Sequence, residues 1–132
     1  MARAAKPSEH TPPAEARIES LSAVTLATRD MARAVPFYEA LGFPRSYGGP
    51  DAAFTSFAFG PSYLNLIAQT HGPIHGWGRV ILHVSDVDAL YQRALSAGLV
   101  PEFAPSDASW GERHFHITDP DGHQLSFARR LR

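Results

Sequence analysis

Alternating apolar and polar residues flank the tetrapeptide Asp-Pro-Asp-Gly at positions 119–122. Proline presets φ for one corner of a turn and glycine accepts a positive φ, so this stretch predicts a β-hairpin. Side chains alternate between the faces of a strand. One face is therefore apolar and suited to a core, with Phe115, Ile117, Leu125 and Phe127. The opposite face is polar and is the first place to look for function: His114, His116, Gln124 and Ser126.

The chain also repeats itself: the stretch that begins at Ser22 aligns with the stretch that begins at Gly78. Each has an alternating strand, an aspartate, an amphipathic segment and a glycine. Aspartate suits a helix N-cap, and glycine suits the position after a helix, where φ is positive. Pro36 lies inside the first predicted helix, where we expect a kink or a tightened first turn. The capping residues are Asp30 and Gly42 in the first copy and Asp86 and Gly98 in the second.

Three strand-like segments follow each predicted helix, separated by turns rich in glycine and proline. Both halves of the chain therefore predict the order β-α-β-β-β. In the first half the segments are Arg45–Tyr47, Phe54–Phe59 and Tyr63–Ile67, and in the second half they are Val100–Phe103, Arg113–Thr118 and His123–Arg129.

Length and composition limit the number of domains and the classes of partner that the chain can have. The 132 residues suit one domain, and we expect residues 18–132 to form it from two repeats, about 20–69 and 77–130. Residues 1–17, rich in proline and small side chains, predict a disordered tail. A net charge of −1 gives no reason to expect nucleic acid or a membrane surface as partner, and the absence of cysteine excludes thiolate sites. No signal peptide or membrane-spanning run is evident, so a cytoplasmic location is expected.

The duplicated unit resembles the vicinal oxygen chelate superfamily. The matching motifs are Asp30, Phe37-Tyr38, Leu41-Gly42-Phe43, Trp110-Gly111 and the turn at 119–122. That superfamily contains glyoxalase I, extradiol dioxygenases, fosfomycin-resistance enzymes and bleomycin-binding resistance proteins. The resemblance implies an α+β fold in which two tandem βαβββ units form curved mixed sheets around a cavity. It also implies a homodimer. It does not identify a reaction, because one fold hosts several chemistries.

Members of the superfamily that use a metal carry a His or Gln on the first strand of each unit and a Glu on each last strand. By position these sites fall on Ala23, Asn65, Arg79 and Ser126. Alanine offers no ligand atom, arginine stays protonated, and Asn or Ser alone binds divalent transition metals poorly. We therefore expect no metal cofactor, which argues against glyoxalase or ring-cleaving dioxygenase activity.

In this fold the ligand lies in the concavity of the sheets. Strand parity and the loop position of Trp110 predict ten ligand-binding residues there, which combine aromatic walls with polar donors as small-molecule sites do. They are Phe54, Tyr63, Asn65, Arg79, His83, Trp110, His114, His116, Gln124 and Ser126.

Arg79 either binds an anionic or accepting group of the ligand, or pairs with an internal acid or bulk water. The histidines leave three alternatives open: acid–base or hydrogen-bonding contact with a ligand, a relocated metal site, or ordinary solvated side chains. His83 should lie two strand spacings, roughly 10 Å, from His114 and His116, which weakens the metal alternative. A Ser126–His116 nucleophile is disfavoured because no acid is expected on that face to orient the histidine.

The sequence thus favours a metal-independent protein that binds a small organic ligand, planar or aromatic with an anionic or accepting group, in the manner of the antibiotic-sequestering resistance proteins. The second hypothesis is a lyase, isomerase or cyclase that uses His116 or His114 as an acid–base, without a metal or with a relocated one. The third is a domain whose cavity is vestigial. The sequence does not identify the ligand.

Overall fold

The computed structural model describes residue 16 and residues 19–74 and 79–132. The predicted tail, apart from residue 16, lies outside this part. Within this part there are two helices, and eight strands form two four-stranded mixed sheets, which confirms the predicted α+β fold. The first half contains β1 (Ala23–Thr28), α1 (Met31–Ala40), β2 (Arg45–Tyr47), β3 (Phe54–Phe59) and β4 (Ser62–Ala68), and the second contains β5 (Arg79–His83), α2 (Val87–Ser96), β6 (Ser106–Asp107), β7 (Glu112–Thr118) and β8 (Gln124–Arg130).

Both helices are N-capped by the predicted aspartates. Asp30 and Asp86 are extended, and each carboxylate accepts a hydrogen bond from a backbone N–H of the first turn, at 3.3 Å and 3.0 Å. These bonds satisfy N–H groups that have no partner inside the helix. Gly42 and Gly98 have φ of 92° and 81°, as expected for residues that follow a helix. Pro36 is accommodated within α1, which runs unbroken from Met31 to Ala40.

The two sheets have the same order, β1-β4-β3-β2 and β5-β8-β7-β6. The first strand of each unit pairs in parallel with the last, and the other neighbours are antiparallel. One strand prediction is wrong: residues 100–103 form no strand, and β6 is the two-residue strand Ser106–Asp107. Pro101 has no N–H to donate to a ladder. Among the described residues, one backbone hydrogen bond joins the segment to β7, from the Glu102 N–H to the His116 carbonyl at 2.8 Å.

The core lies on the side of the sheets that the helices cover. The four apolar residues of the last hairpin are all buried, as predicted, and they join one cluster with residues of α1, β3 and β4. Tyr38 lies at the centre of a group of rings, 5.2 Å from Phe43 and 5.7 Å from Phe57. Phe43 in turn lies 6.2 Å from Phe127 of β8. The two halves therefore share one interior.

Polar contacts also join the halves. The Tyr38 hydroxyl donates to Asp119 Oδ2 at 2.7 Å, and His123 Nε2 lies 2.7 Å from the Ala27 carbonyl. Asp121 Oδ1 accepts from the Arg29 N–H at 2.8 Å. The turn at 119–122 thus reverses the chain and anchors the second half to α1 and β1. Among the described residues, no helix is both long and apolar enough to cross a membrane; the cytoplasmic location stays a prediction.

Candidate functional site

The open face of the second sheet is a regular grid, because parallel and antiparallel pairing align residues of β5, β8 and β7 in rows. Arg79 is paired with Gln124, which is paired with Thr118. In the next row Ser126 lies between Ile81 and His116, and in the third Ala128 lies between His83 and His114. The sequence therefore placed Arg79, His83, His114, His116, Gln124 and Ser126 correctly on one face.

Four rings cluster at the β7 side of this grid. The His114 and His116 rings lie 5.1 Å apart, and Phe103 contacts them at 5.3 Å and 5.0 Å. Trp110 stacks at a tilt against His114, with ring centroids 5.3 Å apart, and remains 68% exposed. Exposed aromatic surface beside a rigid strand can stack on a planar ligand. Phe103 was not predicted as a site residue, and it lies in an irregular segment where strand alternation does not give the direction of a side chain.

Glu102 is an acid that sequence reasoning missed. Its Oε2 accepts hydrogen bonds from Thr118 Oγ1 at 2.7 Å and from Gln124 Nε2 at 3.4 Å, and its Oε1 lies 3.9 Å from His116 Nδ1. Gln124 also accepts from Arg79 Nη2 at 3.0 Å. Arg79, Gln124 and Glu102 therefore form a continuous polar row. The expectation that no acid lies beside His116 is wrong, because the irregular segment before β6 passes over the edge of β7.

A second acid, Glu112, lies at the other end of the face. Its Oε2 lies 3.0 Å from His83 Nε2, and its Oε1 accepts from Trp110 Nε1 at 3.2 Å. Hydrogen bonding from His83, and then from Trp110, lowers the pKa of Glu112 below its ordinary value. Glu112 shares the parity of His114 and His116 on β7, so strand alternation was a signal that could have found it.

The surroundings of His116 favour its neutral form. Burial lowers its pKa below 6.5, the Arg79 charge and His114 lower it further, and Glu102 opposes them. A neutral imidazole has one nitrogen free to accept a proton or a hydrogen bond. The arrangement can therefore bind a donor group of a ligand, or take a proton from one.

The residues at the inherited metal positions do not suit a metal. Arg79 donates to Gln124, and Asn65 Nδ2 donates to Thr25 Oγ1 at 3.2 Å, while Ala23 has no donor atom and Ser126 offers one hydroxyl. Among the described residues, no three His, Asp or Glu side chains converge as a metal site requires. Strand β8 separates His83 from the other two histidines, as predicted.

The remaining predicted residues, Phe54, Tyr63 and Asn65, lie on the open face of the first sheet. Tyr63 is 48% exposed and Phe54 36%. No hydrogen bond or ring contact among the described residues joins this face to that of the second sheet. Arg79 is also exposed, so in the single chain its guanidinium reaches bulk water, one of the alternatives that the sequence left open. The structure brings the second-half residues together and leaves the first-half residues apart from them.

Comparison with known proteins gives a family match over most of the chain. The family described as the Glyoxalase/Bleomycin resistance protein/Dioxygenase superfamily matches residues 20–127. Among curated proteins, an uncharacterized protein of Mycobacterium bovis is 45% identical over 51 residues, which are 39% of this chain and 34% of that protein. The match thus spans about a third of the length of this curated relative.

Solved structures share the fold. A bleomycin-binding protein complexed with bleomycin is 26% identical with a TM-score of 0.67, over 86% of this chain and 99% of that one. A lactoylglutathione lyase from Agrobacterium tumefaciens is 20% identical with a TM-score of 0.69, over 86% and 95% of the two chains. Neighbours on this fold therefore include a protein that binds a small molecule and an enzyme.

Proposed function

Because the chain belongs to the glyoxalase/bleomycin resistance protein/dioxygenase superfamily, we propose that it is a metal-independent protein that binds a planar or aromatic small molecule with an anionic or accepting group. One observation carries the proposal: a cluster of rings and a row of hydrogen-bonding side chains lie side by side on one rigid face. The residues at the superfamily's usual metal positions cannot form the usual site. The bleomycin-binding neighbour is the precedent for binding on this fold.

The ligand binds with its plane against Trp110 and Phe103 and its anionic or accepting group toward Arg79. Aromatic stacking supplies area at a small entropy cost, because these side chains are already held against His114. The Arg79 guanidinium uses one nitrogen for Gln124 and keeps its other donors for the ligand. Further hydrogen bonds to the ligand come from His83, His116 and Ser126 on the same grid. The lowered pKa of His116 favours its neutral form, in which one ring nitrogen can accept a hydrogen bond.

A second copy of the chain supplies the other wall. The open faces of both sheets present large apolar side chains to solvent, including Tyr47, Tyr63 and Ile81, which are 66%, 48% and 63% exposed. Contiguous exposed apolar surface marks interaction sites. We therefore propose a homodimer in which the cavity is built partly from both chains, so that Phe54, Tyr63 and Asn65 of one chain face the Arg79 grid of the other. A monomer by light scattering at micromolar concentration contradicts this arrangement.

The test is the loss of affinity on removal of Arg79. Native mass spectrometry of protein purified without chelator identifies the bound ligand, and calorimetry then measures its affinity for each variant. Arg79→Ala should weaken binding by about 1.5–3 kcal/mol, the value of a hydrogen bond to a charged group. Arg45→Ala is the matched control, because this exposed arginine pairs with Glu39 at 2.8 Å, away from the grid. Equal affinity for wild type and Arg79→Ala refutes the anchoring role.

A second function is favoured by Glu102: an enzyme in which His116 acts as the acid–base. The carboxylate lies 3.9 Å from His116 Nδ1 and is itself held by Thr118, so it can orient the imidazole and stabilise its protonated form. His116→Ala separates the two functions. In a binding protein it should cost about 1 kcal/mol of affinity. In an enzyme, turnover of the same ligand should fall by roughly 10²–10⁴ with little change in binding.

A further inference from the structure

A cavity of about 390 Å³ lies where the first half of the chain meets β5 and α2. This volume is within the range of about 300–1,000 Å³ that small-molecule sites occupy. Of the ten residues predicted to bind ligand, only His83 borders it, so it is separate from the site on the open face. Its walls are apolar and come from both halves: Leu41, Phe43 and Phe59 from the first, and Leu82, Leu90 and Phe127 from the second.

Among the described residues, Arg93 is the arginine that borders the cavity. Arg93 Nε donates to the Ala40 carbonyl at 2.8 Å, which fixes the guanidinium at the end of α1. The two terminal nitrogens have no hydrogen-bond partner among the residues that the structure describes, and the guanidinium lies beside Gly42, which has no side chain to cover it. A guanidinium held by one nitrogen leaves a pair of donors that matches a carboxylate.

The acid that borders the cavity is already engaged. The Asp86 carboxylate accepts from the Ala89 N–H at 3.0 Å as the cap of α2. Asp86 keeps its charge, but no ion pair joins it to Arg93 among the described residues. The Arg93 guanidinium therefore remains available to a ligand anion, beside a surface that is mostly apolar.

From this geometry we propose that the cavity is a second binding site, specific for a small aliphatic carboxylate whose chain lies among the apolar walls and whose carboxylate pairs with Arg93. The cavity is lined by leucine and phenylalanine side chains between the two halves, whereas the open face offers the exposed Trp110 ring, and this difference separates the two proposed ligands. The proposal does not depend on that function.

Hexanoate is the probe, and 1-hexanol is its neutral counterpart. Titration of ¹⁵N-labelled protein should shift backbone amides around the cavity, at Ser85, Ala89 and Arg93, and leave those of Gln124 and His116 in place. Arg93→Gln should weaken hexanoate at least tenfold, and 1-hexanol should bind wild type at least tenfold more weakly than hexanoate. Ala89→Phe, which fills the cavity from the exposed side of α2, should abolish binding.

Arg79→Gln on the open face is the control, and it should leave the hexanoate titration unchanged. The proposal is overturned if 20 mM hexanoate shifts no cavity amide, if the shifts follow the open face, or if Arg93→Gln binds hexanoate as wild type does. It is also overturned if the cavity amides shift on dilution of the protein but not with hexanoate, because the cavity is then covered by another copy of the chain.

Discussion

Removal of the Tyr38 hydroxyl should destabilise the protein by about 2 kcal/mol. Tyr38 is fully buried and donates at 2.7 Å to Asp119, which is 4% exposed. Hydrogen bonds to charged groups contribute about 1.5–3 kcal/mol, and the variant leaves Asp119 Oδ2 without this donor. Tyr38→Phe keeps the ring and its contacts with Phe43 and Phe57, so no cavity term adds to the loss. For a chain of this length, the expected fall in Tm is roughly 6–10 °C.

The measurement is urea and thermal unfolding at one fixed protein concentration, because association would otherwise change the apparent stability. Tyr91→Phe is the matched control: its ring packs 5.5 Å from Phe115, and its hydroxyl has no hydrogen-bond partner among the described residues. It should change stability by less than about 0.5 kcal/mol. The reasoning fails if Tyr38→Phe is as stable as this control.

Alkaline pH gives an independent check on the same hydroxyl. Burial, and then the charge of Asp119, raise the pKa of Tyr38 well above 10. Above pH 10 the unfolded chain loses the proton while the folded chain retains it, so stability should decrease as pH rises. The decrease should be steeper in wild type than in Tyr38→Phe. Parallel pH profiles would show that Tyr38 is not protected in the folded state.

Three further predictions concern other parts of the chain. Gly48→Ala should cost more than about 3 kcal/mol in urea unfolding, because φ is +80° and a Cβ would clash with the Phe54 carbonyl. Gly60→Ala, with open space at φ +54°, should cost roughly 1–2 kcal/mol. Protein purified without chelator should contain no stoichiometric Zn²⁺, Ni²⁺, Mn²⁺ or Fe²⁺ by elemental analysis, and chelator should not change its Tm; a metal bound through Asn65 or Ser126 would contradict this. The pKa of His116 is lower in the folded chain than its ordinary value of 6.5, so its contribution to stability should be complete above pH 6.5 and be lost as the pH falls through the folded pKa. As the pH falls from 6.5 through the folded pKa, wild type should therefore lose stability faster than His116→Asn. Identical stability profiles of the two proteins would contradict the lowered pKa.

The sequence by itself determined the elements and the faces of the strands. Periodicity of two and of 3.6 residues reports which side chains meet the core, and the capping aspartates and glycines report where helices begin and end. These signals are local, so they located α1, α2 and the strands of the last hairpin closely. They failed at residues 100–103, where Val100 and Phe103 indicated a strand that the chain does not form.

Only the tertiary structure decided which polar groups meet. Glu102 is 14 residues before His116 in the chain, and it reaches the grid because an irregular segment crosses the edge of β7. Asp119 had the features of a turn former, yet its partner Tyr38 is 81 positions away. Such contacts depend on how two sheets and two helices pack around a shared core, which no local period encodes. The cavity bordered by Arg93 likewise exists only because the two halves pack with a gap between α2 and the end of α1.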